Sequence, residues 1–176
     1  MPTSTVDLWE TIVGEAARES ALWRNARRPN ADAAPVFSPL GEERYALGLE
    51  TIYEGYLAHY GRPRLFEPAD GDTALLLGDY LYAHGLVRIA GVDGVAAVAD
   101  LAELISVCAQ VQAEGRDGDG PLWAATAALL GAGDLDEARA ALRDRGDDSP
   151  LAALAHAHAG GQALEQALAA HRRRLR

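Results

Sequence analysis

Residues 73–87, TALLLGDYLYAHGLV, leave no polar stripe on a helical wheel: Leu75, Leu76, Leu77, Leu81, Tyr82, Leu86 and Val87 are spread around it. As a helix the segment is expected to be central and surrounded, because a helix that is apolar all round must bury every face. Asp79 is its single carboxylate, expected to be buried, held by hydroxyl or backbone donors, and not to do chemistry. Gly78 and Gly85 lie seven residues apart on one face. Each costs about 1 kcal/mol against alanine inside a helix, so a close helix-helix approach is the expected reason for them.

A chain of 176 residues fits one domain, spanning 1–176, with a core large enough to need no staples. A single cysteine, Cys108, excludes an internal disulfide and a cysteine zinc site. Its place on an apolar helical face makes it a packed thiol and fits a reducing, cytoplasmic setting. The N-terminal residues MPTSTVDLWE lack a basic flank before an apolar run, and no stretch approaches 18 uninterrupted apolar residues. Neither a signal peptide nor a membrane span is expected. The formal charge of -10 argues against nucleic acid as a partner. All basic residues are arginine, and the absence of lysine removes Schiff-base chemistry, lysine general bases and the P-loop lysine.

Helical periodicity runs through the rest. Ser4 or Thr5 can cap a first helix to about Trp23, with Val6, Trp9, Ile12, Val13 and Ala16 on its buried face. Residues 24–41, with three prolines, form a connecting segment. A second helix from about Glu42 to Tyr60 carries an aromatic stripe, Tyr45, Tyr53, Tyr56 and Tyr60, that fits a core or an interface. Asp72 can cap the third helix, and a fourth from about Asp93 to Ala113 places Val98, Leu101, Ile105, Cys108 and Val111 on one face. Residues 116–121, RDGDGP, read as a plain loop before a helix starting at Pro121. Asp134 and Glu137 suggest a capping box for a helix ending at Gly146, and Ser149-Pro150 opens a last helix that Gly160 and Gly161 kink or split. Nothing alternates with period two, so the expected class is all-α, a single-domain helical bundle.

No catalytic or metal-ligating constellation is expected. Asp134 with Asp136, and Asp147 with Asp148, suit a helix start and a turn. His156 and His158 are two apart and point to different faces of a helix. His59 and His84 have no triad or zinc pattern about them. The C-terminal HRRRLR, with 172–176 as a basic tail, suits a helix C-terminus, or a contact with an acidic partner or anionic surface.

Residues 75–86, LLLGDYLYAHGL, resemble the Leu-x-Gly-Asp-x-Leu helix of polyprenyl diphosphate synthases. Upstream, Glu50 to His59 is similar to the family helix that carries Glu, an apolar run and His before the first aspartate-rich motif. Downstream, 105–115 resembles the segment ending in Gln and Glu, and 121–133 is similar to the Lys-Thr-Ala helix without its lysine. The likeness covers about residues 42–133, and implies a truncated isoprenoid-synthase-like bundle. The family's two Asp-Asp-x-x-Asp motifs, which hold the magnesium ions that bind diphosphate, are absent here.

Such a chain resembles the small, non-catalytic component of two-component synthases, the heptaprenyl diphosphate synthase component 1 type. The resemblance implies no cofactor on this chain, magnesium on a catalytic partner, and a heterodimer in which this chain helps set prenyl chain length. A homodimer could form without the partner. Tyr53, Tyr56, Gly78, Asp79, Leu81, Tyr82 and Gly85 would form the interface or the floor of the elongation cavity. Residues 133–150 also resemble one tetratricopeptide repeat, which would make the chain a protein-binding scaffold. A stand-alone helical enzyme using Asp79 and His84 is a third possibility.

Overall fold

The computed structural model describes residues 5–175, with side chains from Leu8 onward. Ser4 as a cap and Val6 as a core residue fall outside what it describes. The chain is an all-α bundle of α1 (Thr5–Glu19), α2 (Ala21–Asn25), α3 (Ala46–Tyr60), α4 (Gly71–Asp93), α5 (Val95–Ala113), α6 (Asp119–Ala128), α7 (Asp136–Arg145), α8 (Ser149–Ala159) and α9 (Gly161–Leu175). Among the described residues no strand forms, and Arg27 and Phe66 make an isolated antiparallel bridge.

The central helix is α3, where every residue from Gly48 to Ala58 is buried. Its partner is α4, which lies antiparallel to it across two glycine pairs. A Cβ on Gly55 would stand 3.0 Å from the Gly78 carbonyl, and one on Gly85 would stand 3.1 Å from the Gly48 carbonyl. Glycines seven apart on both helices therefore bring the two backbones together, and Ile52, His59 and Ile89 fill the space beside them.

Burial corrects the expectation that α4 is surrounded. Leu77, Leu81 and Ile89 are buried, but Leu75, Leu76, Val87 and Val92 are 52%, 57%, 72% and 45% exposed. The helix covers α3 and α1 with one side and shows solvent the other, so its all-round apolarity has a cause other than burial in this chain.

Several local boundaries also shift. Ser20 caps a separate α2 through its hydroxyl, which breaks the first helix early. Asp70, not Asp72, caps α4 by accepting from the Thr73 N–H at 2.7 Å. The expected capping box at Asp134 is absent: α7 starts at Asp136, with no side-chain hydrogen bond at its cap. Gly146 ends α7 in the left-handed region at φ 69°, and Gly160 separates α8 from α9.

Two apolar clusters fill the interior. The larger joins Phe37, Tyr53, Tyr56, Leu101, Leu104, Trp123 and Leu142 with the inner faces of α6 to α9. The smaller joins Trp9, Ile12, Trp23, Phe66, Leu77 and Leu81 between α1, α2 and α4. Arg64 stands between them, its guanidinium 4.9 Å from the Trp9 ring and 5.0 Å from the Tyr53 ring.

Candidate functional site

Along the outer side of α4 run the exposed Leu76, Asp79, Ala83 and Ala90 and the half-buried Leu86, spaced alternately three and four apart, with the exposed Leu75 and Val87 beside them. That is the spacing of a coiled-coil seam. The outer side of α5 repeats it in small residues: Val95, Ala99, Ala102, Ser106, Ala109 and Ala113 are all exposed, spaced alternately four and three apart. Gly94, at φ 71°, turns α4 into α5 in a single residue. The two helices pack against each other.

Tyr82 and Leu86 of α4 and Val98 and Ile105 of α5 are half-buried and pack against the larger core cluster. At 1.5 Å per residue, the 23 residues of α4 span about 35 Å and the 19 of α5 about 28 Å. Asp79, with 74% of its side chain exposed, is the charge within the α4 seam. It lies 3.3 Å from His59 Nε2. Among the described helices α5 is also long and apolar enough to cross a membrane, but Leu101, Leu104, Val107, Cys108 and Val111 are buried against the rest of the bundle.

The residues expected at an interface or cavity divide sharply. Tyr53, Tyr56, Gly78, Leu81 and Gly85 are buried inside this chain, and Tyr82 is half-buried. Tyr53 and Tyr56 pack against Trp123 at 5.1 and 5.6 Å between centroids, in a filled core. These five are therefore unavailable to a partner's surface, because the core closes over them. Asp79 alone lies on an exposed face, which corrects the expectation of a buried carboxylate: its helix turns that side to solvent. His84 packs 4.6 Å from Tyr80 and 3.8 Å from Glu15, away from Asp79's exposed carboxylate.

A polar network joins α3 to α5, α6 and α9. His171 Nε2 is 2.8 Å from Asp119 Oδ2, and its Nδ1 is 2.9 Å from the Tyr53 hydroxyl. Tyr56 donates its hydroxyl to the same Asp119 oxygen at 2.5 Å, and Gln112 donates to the Tyr56 oxygen at 2.9 Å. Burial opposes ionisation of Asp119, but the His171 hydrogen bond and charge and the Tyr56 hydroxyl outweigh it and hold its carboxyl below the usual range. Burial pushes the Tyr53 and Tyr56 hydroxyls well up. The network is internally satisfied and belongs to the core. This corrects the plain-loop reading of 116–121 and the tail reading of His171: Asp119 opens α6, and α9 runs through His171 to Leu175.

Arg64 forms a second buried group, donating to Glu50 Oε2 at 2.6 Å and to Glu54 Oε2 at 3.0 Å with no exposure on any of the three beyond 1%. Glu50 Oε1 accepts from the Val36 and Ser38 N–H groups at 3.3 and 3.2 Å, and Glu54 Oε1 accepts from Leu65 N–H at 2.7 Å. The triad ties the connecting segment and the 62–66 turn to α3. Sequence reading passed over it, although glutamates four apart on an otherwise apolar helix were a visible signal for a buried basic partner.

Among the described residues no group of three or more His, Cys, Asp or Glu is placed to hold a metal. No protein-family model, curated protein or solved structure matches the chain.

Proposed function

We propose that this chain is a non-catalytic helical subunit that docks the outer face of α4 and α5 on a helical partner. The observation that carries it is the pair of helix faces at coiled-coil spacing, one carrying Leu76, Ala83 and Ala90 around Asp79 with exposed Leu75 and Val87 beside them, and one of small exposed residues that let a partner backbone approach. The partner is a catalytic polyprenyl diphosphate synthase subunit, on the strength of the resemblance over residues 42–133. Shaping of prenyl chain length would then arise at the joint surface of the two chains, since Tyr53 and Tyr56 sit in a filled core.

Co-expression of the tagged chain with its neighbouring reading frames tests this. Recovery at equal stoichiometry of a chain with two Asp-Asp-x-x-Asp motifs, lost on Val87→Glu, supports the reading. Prenyl transfer by the isolated chain with magnesium, isopentenyl diphosphate and an allylic primer would overturn the non-catalytic assignment. Recovery of a dimer of this chain alone, or binding to lipid vesicles through the same face, would replace the partner.

A further inference from the structure

A cleft of about 470 Å³ opens where residues 28–36, the 62–64 turn and the last turns of α9 meet. Arg28, Arg62, Arg64, Arg173 and Arg174 line it, with Asp32 as the opposing carboxylate. In a chain of formal charge -10, this is a local reversal of sign.

The arginines are not equally committed. Arg64 is held by Glu50 and Glu54, Arg174 by Asp32, and Arg62 donates to the Arg173 carbonyl. Arg28 donates to the Phe66 carbonyl at 3.4 Å and lies 3.7 Å from Glu67, yet its Nε is buried without a hydrogen-bond partner. The guanidinium of Arg173, an exposed residue, makes no hydrogen bond or ion pair among the described residues. Ala34, Val36, Pro63 and Ala170 give the cleft an apolar lining. A partly engaged guanidinium, that of Arg28, and a free one, that of Arg173, beside an apolar wall match an anion with a small organic part.

We infer that this cleft binds a phosphate monoester. A phosphate offers three charged oxygens and engages more than one guanidinium fork, whereas a monocarboxylate satisfies a single fork. Arg173 and Arg28 take the oxygens, and the apolar wall takes the ester group. The cleft shares no residue with the α4–α5 face, so this assignment stands apart from the docking reading.

The test is calorimetric titration of the full chain at low salt with phenyl phosphate, inorganic phosphate and benzoate, beside flotation with vesicles containing phosphatidic acid. Phenyl phosphate is expected to bind more tightly than either small anion, and Arg173→Gln and Arg28→Gln are each expected to weaken it by about tenfold. Vesicle binding lost in Arg173→Gln would identify the ester as a lipid headgroup; solution binding without flotation would identify it as a soluble metabolite. No heat with phenyl phosphate and no flotation, or wild-type affinity in Arg173→Gln, would overturn the site. Arg173 is exposed, so that variant keeps the test valid even if Arg28→Gln impairs folding.

Discussion

His171 Nε2 lies 2.8 Å from Asp119 Oδ2, both side chains largely buried, although 52 residues separate them in the chain. The pair ties the last turns of α9 to the first turn of α6, with Tyr53 and Tyr56 of α3 closing the network on either side.

Removing one member leaves buried polar groups unpaired. His171→Ala is expected to destabilise the chain by about 2 to 4 kcal/mol in urea unfolding. Asp119 also sets an acid dependence: its folded pKa lies below its unfolded value. Its contribution is therefore fully present above about pH 4 and is lost as pH falls through the depressed folded value. Melting temperature measured from pH 6 down to pH 2 should fall less steeply in Asp119→Asn than in the wild type. Parallel curves would show that Asp119 is not depressed.

The paired glycines at the α3–α4 crossing predict an inverted helix-propensity effect. Alanine normally gains about 1 kcal/mol over glycine in a helix. In Gly85→Ala the new methyl would overlap Ile52 and press on the Gly48 carbonyl, and overpacking of this kind costs about 1 to 3 kcal/mol. Gly91→Ala, on the same helix with open space around it, should be neutral or stabilising. Equal effects of the two substitutions in chemical denaturation would contradict the close approach.

Cys108 is buried, and burial raises its thiol well above the ordinary range. Because the thiolate is the reactive form, a thiol reagent at pH 8 should label the native chain very slowly and the unfolded chain at once. Fast labelling of the folded protein would mean that α5 opens readily from the bundle.

Substitutions on the outer seam separate docking from folding. Val87→Glu and Leu76→Glu replace exposed side chains, so stability should stay within about 0.5 kcal/mol of the wild type. Recovery of the partner in pull-down should nevertheless drop sharply. Leu81→Glu and Tyr56→Glu place charge in the core and should unfold the chain, so they cannot report on an interface.

The helical class, the break at Gly160 and the left-handed stop at Gly146 follow from the residues alone, because periodicity and glycine backbone freedom act within a few residues. The glycine pair of residues 78 and 85 also announced a close crossing. Which helix would be central did not follow. Residues 73–87 are more uniformly apolar than 46–60, yet α3 is enclosed and α4 is half-exposed, since apolarity says that a face needs covering and not whether the same chain covers it. The polar partnerships were only partly legible. Glu50 and Glu54, four apart on an apolar helix, signal a buried basic partner without naming it, and only the three-dimensional packing brings Arg64 to them and His171 to Asp119, which makes their burial tolerable.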